Sequence, residues 1–202
     1  MLFTVGSEFL ENIESVALKG SIDFEDKGGN QAGTFQLVIN RGDSLAFIIE
    51  GPFKIDVFRL IIADGAAYVM DKESDNWVVV SKNEKILIPD YGVDSIIPDA
   101  IGYCLFPQFY MRTELRLDAE KMLISSDEYD FHIAPSRNQT SFTLSGGELN
   151  LSAFYGRRKN LNGGYYPSLV EISSPQKDWR ITIEIERIKL NPKISSKIWE
   201  RN

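Results

Sequence analysis

Histidine and cysteine are almost missing from this chain: His132 and Cys104 are each the only residue of their kind. A lone cysteine excludes an intrachain disulfide and a cysteine-built zinc cluster, and the IGYCLF setting of Cys104 reads as an inert buried thiol. No apolar run reaches the roughly 18 residues that span a bilayer. The opening MLFTVGSEFLENIES also lacks the basic start and apolar core of a secretory signal. Clustered positive charge is scarce as well. A net charge of -7, with no concentrated Lys and Arg to neutralise a run of phosphates, argues against a nucleic-acid partner. The small basic clusters, Arg157-Arg158-Lys159 and Lys189 to Lys197, read as a solvated loop and a solvated C-terminal segment.

What is present is apolar and strand-like. A chain of 202 residues, 43% hydrophobic and 25% charged, has the composition of a folded protein, and residues 1–202 are expected to form one domain. The stretch SEFLENIESVAL places Phe9, Leu10, Ile13 and Val16 at helical spacing, which predicts a short helix over residues 7–17. Strands follow with turn residues between them: LKGSIDFED, GTFQLVIN, SLAFIIE, KIDVFRLII, GAAYVMD and NWVVVSK. From Ile88 the alternation stops, and Ile96, Ile97, Ala100, Ile101, Cys104 and Leu105 recur at three- and four-residue steps. That pattern predicts a helical insert over about residues 91–106, interrupted near Pro98. Strands then resume to the C-terminus. In DWRITIEIERIKL, Trp179, Ile181, Ile183 and Ile185 alternate with polar residues, giving one dry face and one wet face.

Roughly ten antiparallel strands are too many to remain flat. The expected fold is therefore mainly β, a single antiparallel sheet curled into an open, incomplete barrel with helices covering its concave face. One stretch departs from simple alternation. Across SLAFIIEGPFKIDVFRLII both faces of the hairpin are apolar, and the bend between its strands carries Phe53. A curled sheet whose inner face and cover are both apolar is either packed solid or encloses a cavity for an apolar ligand.

Chemistry has few candidates. His132 lies in the strand-like DFHIA, and the carboxylates Asp127, Glu128, Asp130, Glu184 and Glu186 read as solvated charges without the spacing of an acid–base pair. The pairs Gly28-Gly29, Gly146-Gly147 and Gly163-Gly164 fall between strands, where they serve hairpin turns and not phosphate loops. Asn138-Gln139-Thr140 fits a glycosylation sequon that is common by chance. A non-enzymatic protein without metal or cofactor is expected.

In order and spacing, LKGSIDF, GTFQLVINRGDSLAFIIEGPF, VDSIIPDAIGYCLFPQ, YYPSLVEIS and the closing strand resemble the LolA/LolB-like family of bacterial lipoprotein carriers and receptors, the LolB side most closely. The resemblance covers nearly the whole chain. It implies an incomplete barrel that holds lipoprotein acyl chains, or a related lipid, for lipoprotein localisation to the outer membrane, without covalent chemistry. On this reading the cavity is lined by Leu18, Ile22, Phe35, Leu37, Phe47 and Ile49 from the sheet, with Ile97, Ile101 and Leu105 from the cover. The family's receptor carries an exposed leucine in a Pro-Leu-Gly bend, and the matching bend here is Gly51-Pro52-Phe53-Lys54. Phe53 is thus the expected contact with membrane or partner. The implied partners are acyl chains, the membrane surface and a periplasmic lipoprotein carrier, engaged by a monomer. The implied location is the periplasm or the periplasmic face of the outer membrane. The lipidated N-terminal cysteine of that receptor has no counterpart here, so a leader or anchor was either removed or never existed, and the strands after the insert look longer than the receptor's. The alternative is an envelope adaptor of the same fold, with a filled core, that binds a protein along an exposed strand edge.

Overall fold

Alternating apolar residues with Gly, Asn and Asp between the runs fold as successive antiparallel hairpins. The computed structural model describes residues 12–40, 44–71, 76–81, 84–88, 93–96, 98–105, 116–118, 123–125, 130–135, 140–146, 149–161, 164–174 and 178–201. Six strands open the fold: β1 (Ser15–Asp26), β2 (Gly29–Asn40), β3 (Ser44–Glu50), β4 (Asp56–Ala63), β5 (Ala66–Asp71) and β6 (Asn76–Ser81). A small hairpin follows, of β7 (Ile86–Ile88) and β8 (Val93–Ile96), and then the helix α1 (Pro98–Leu105). The second run comprises β9 (Arg116–Asp118), β10 (Leu123–Ser125), β11 (Asp130–Pro135), β12 (Thr140–Gly146), β13 (Leu149–Leu161), β14 (Gly164–Ser173) and β15 (Trp179–Leu190).

All but β7 and β8 join one 13-stranded sheet in the order β6-β5-β4-β3-β2-β1-β15-β14-β13-β12-β11-β10-β9. The two runs meet at the β1–β15 pair, and β6 and β9 are the edges. The sheet is open and curled. Helix α1 touches both β4 and β14, which stand five strand spacings apart, about 24 Å on a flat sheet. A helix of eight residues is only about 12 Å long, so the sheet must wrap around it.

The β1–β15 pairing carries a bulge. Gly20 faces Ile185 while Lys19 faces Arg187, which leaves Glu186 as the extra residue. A side chain at Gly20 would overlap the carbonyl oxygen of Glu184, so the close approach of the two strands requires glycine there.

Several expectations need correction. Most of the helix expected over residues 7–17 lies outside the described residues, but Ser15, Val16 and Ala17 open β1 as strand. The first half of the insert expected over about 91–106 contains the strand β8, and Pro98 begins α1 instead of interrupting it. Proline suits that first helical position because its missing N–H would have no intrahelical partner. The C-terminal segment is only partly solvated. After Leu190 the chain turns at Asn191 and lays Ile194, Ile198 and Trp199 on the convex face, against Val38, Ala46 and Ile61. Lys193 and Lys197 stay in water. Arg59 fastens this strap by donating from Nη2 to the carbonyls of Lys197 at 3.1 Å and Ile198 at 3.3 Å. The double apolar character of β3 and β4 follows: one face meets the concave core, the other meets the strap.

Candidate functional site

Period-two alternation sends Leu18 and Ile22 of β1, Phe35 and Leu37 of β2, and Phe47 and Ile49 of β3 to the same, concave face. All six are buried there in one apolar cluster with Ile101 and Leu105 of α1. Ile97 lies outside the described residues. Phe35, Phe47 and Phe58 form an aromatic row with ring centroids 6.1 and 6.3 Å apart, in tilted and edge-on arrangements. Between this sheet face and α1 remains an apolar cavity of about 10 Å³ whose walls include Phe24, Phe47, Ile101, Leu105 and Ile181. That is room for about one water.

The opposite wall is formed by residues that the sequence pattern alone does not place in the site. Ile172 of β14 and Ile181 and Ile183 of β15 line the same chamber, because Ile183 pairs with Ile22 and Ile181 with Phe24. The dry face of β15 was visible as alternation, but its pairing with the first strand was not.

A buried polar contact secures the cover. Tyr155 of β13 donates its hydroxyl to the Cys104 carbonyl at 2.7 Å. Burial pushes the Cys104 thiol up to about 12. The Tyr155 phenol is held well above its ordinary range by burial first and by the neighbouring Cys104 second. A thiol so disposed is a packing group and a poor nucleophile. His132 stands on β11 opposite Thr143. Among the described residues, no group of three or more His, Cys, Asp or Glu side chains is placed to hold a metal ion.

At the β3–β4 bend, Pro52–Lys54 form a single 3-10 turn closed by a hydrogen bond from Gly51 N–H to the Ile55 carbonyl at 2.9 Å. Phe53 is 95% exposed and Ile55 62%. Phe53 and Lys54 both adopt left-handed backbone, with φ of 65° and 58°. Two apolar side chains, on either side of Lys54, thus stand in water on a strained tip. Among the described residues no helix is long and apolar enough to cross a membrane.

Solved structures with this arrangement exist. A DUF1329 family protein from Desulfovibrio piger superposes with a TM-score of 0.61 at 10% identity, over 96% of this chain and 92% of its own. A LolA superfamily protein from Nitrosomonas europaea gives 0.56 at 11% identity, over 94% and 91%. The chain has a LolA-like fold. A domain from Vibrio parahaemolyticus assigned to outer membrane lipoprotein sorting gives 0.55 at 8% identity, over 91% and 88%. No family model matches the chain, and no curated protein does. At these identities the likeness is one of fold: a LolA-like sheet that curls around a short helix.

Proposed function

We propose that this protein is a non-enzymatic carrier or receptor of the LolB kind, which holds lipoprotein acyl chains or a related lipid between the concave face and α1. It would work in the periplasm or at the periplasmic face of the outer membrane. The observation that carries the reading is the seam between α1 and the sheet, apolar but for the Tyr155–Cys104 hydrogen bond, in a fold shared with a lipoprotein-sorting domain. Among the described residues α1 is held to the sheet by apolar contacts and the Tyr155–Cys104 hydrogen bond and not by strand pairing, so displacing the helix has only those contacts to undo. Because the resting cavity holds about one water, a chain enters only as α1 moves. Burying an acyl chain supplies about 0.8 kcal/mol per methylene, on the order of 10 kcal/mol for a long chain, to drive that displacement. Phe53 and Ile55 would meet the membrane surface during transfer. Native mass spectrometry of the purified protein tests the reading: co-purified lipid supports it. Failure both to retain lipid and to take up a fluorescent acyl probe rejects it.

A second reading, the filled-core adaptor, draws on the same small cavity and on edge strand β6, where Val78 and Val79 are exposed. Such an edge can add a partner's strand. Lipid uptake separates the two.

A further inference from the structure

Trp179, the first residue of β15, is 5% exposed, and its Nε1 is buried without a hydrogen-bond partner. A buried donor left unpaired is costly, and native folds rarely leave one without a reason. Its place in the fold supplies the reason. Trp179 stands one same-face step along β15 from Ile181, a wall of the apolar chamber, and it also lines a cleft of about 300 Å³ at the end of the sheet. It therefore lies between the chamber and the surface.

The rest of that cleft is polar and already paired. Lys27 Nζ meets Asp178 Oδ2 at 2.6 Å, and Arg180 Nη1 lies 3.9 Å from Glu25 Oε2. Asp26 accepts from the backbone N–H groups of Gly28 and Gly29 at 2.6 and 3.1 Å. Three carboxylates face two engaged cations, a balance that disfavours an incoming anion. What is missing is a neutral acceptor for one N–H. Solvent does not reach Nε1, so an acceptor for it would come with a ligand that enters the fold beside Trp179, next to the chamber wall at Ile181.

We propose that Trp179 Nε1–H is the head-group donor of this site, binding the carbonyl oxygen of a neutral acyl ester or amide whose hydrocarbon occupies the chamber. The inference rests on the lipid-binding reading and narrows it to neutral acylated ligands over free fatty acids.

The test uses the intact chain with three ligands: monoolein, oleate, and the carbonyl-free dye N-phenyl-1-naphthylamine. In 15N-labelled wild type, monoolein should shift the Trp179 indole resonance downfield and the dye should not. Trp179→Phe, which keeps an aromatic ring in the wall, should weaken monoolein about fivefold, the worth of one neutral hydrogen bond, and leave the dye unchanged. Oleate should bind wild type more weakly than monoolein. An unshifted indole, an unaffected Trp179→Phe, or oleate binding tighter than monoolein overturns the proposal while leaving the chamber in place. Wild type that binds none of the three overturns both readings. The indole measurement needs no substitution, so a variant that fails to fold does not block it.

Discussion

Tyr155 and Cys104 are joined through the core: the phenol on β13 donates to the last-turn carbonyl of α1 at 2.7 Å, away from water. The last four carbonyls of a helix have no intrahelical acceptor role, so this bond satisfies an oxygen that would otherwise be stranded. It also fixes the depth of α1 over the sheet, which dispersion contacts define less sharply. Tyr155→Phe should cost about 1–3 kcal/mol and lower the melting temperature by roughly 3–10 °C. It should also speed lipid uptake in stopped-flow fluorescence. Unchanged melting and unchanged uptake would show that the bond does not hold the cover.

The same pair makes stability fall at alkaline pH. In the folded state both groups stay neutral, Cys104 with its pKa pushed up to about 12 and Tyr155 with its own well above the ordinary phenol range. The unfolded chain loses these protons near pH 9 and 10. It then binds fewer protons than the folded chain, and the stability, fully present below pH 9, is lost as pH rises toward the folded pKa values. The slope reaches about 1.4 kcal/mol per pH unit for each group. Urea midpoints measured from pH 8 to 11 should decline, and Cys104→Ala should delay the onset toward pH 10. A flat profile contradicts the assignment.

Phe53 is expected to separate stability from transfer. Its left-handed backbone costs a side chain roughly 1 kcal/mol that glycine does not incur. Phe53→Gly should therefore raise stability slightly while reducing liposome association and cargo transfer. Phe53→Glu should leave the melting temperature within about 2 °C, since the ring makes little contact with the fold, and should reduce transfer further. Vesicle flotation beside a thermal melt reads both. Should Phe53→Glu unfold the protein, the exposed placement of the ring is wrong.

The strap makes its own prediction. Ile198→Asp puts an unpaired carboxylate against Val38, Ala46 and Ile61 and should cost about 3 kcal/mol. Deleting residues 192–202 uncovers that apolar face and takes from Arg59 its two carbonyl acceptors. The shortened chain should self-associate in light-scattering chromatography. A monomeric deletion variant with wild-type melting would refute the strap's role.

Much of this was legible because strands reveal their faces. Within each strand, counting in twos sets Leu18 with Ile22, Phe35 with Leu37 and Phe47 with Ile49 on a common face, but which face is concave is decided by the packing of α1 and not by the count. What counting cannot supply is which distant strands pair, so the alternation of β15 shows Ile181 and Ile183 on a dry face without placing them in the chamber. Ser15 to Ala17 lie in β1 although short apolar spacings there fit a helix end and a strand start equally. The strap has little signature, because Ile194, Ile198 and Trp199 are three apolar residues among solvated lysines. The unpaired indole of Trp179 has no sequence signature at all.

Joining the two runs at β1 and β15 also sets the order in which the chain can fold. The partners Ile22 and Ile183 are 161 positions apart, and such distant pairings form slowly because a long loop must close first. Hairpins β1–β2 through β5–β6 can zip as soon as they are made. Until the last strand emerges from the ribosome, however, β1 keeps an open edge beside an uncovered apolar face, the arrangement most prone to pairing with the wrong chain. A nascent chain arrested before residue 179 should therefore be a good substrate for a holdase chaperone, and release of the final strand should end that dependence.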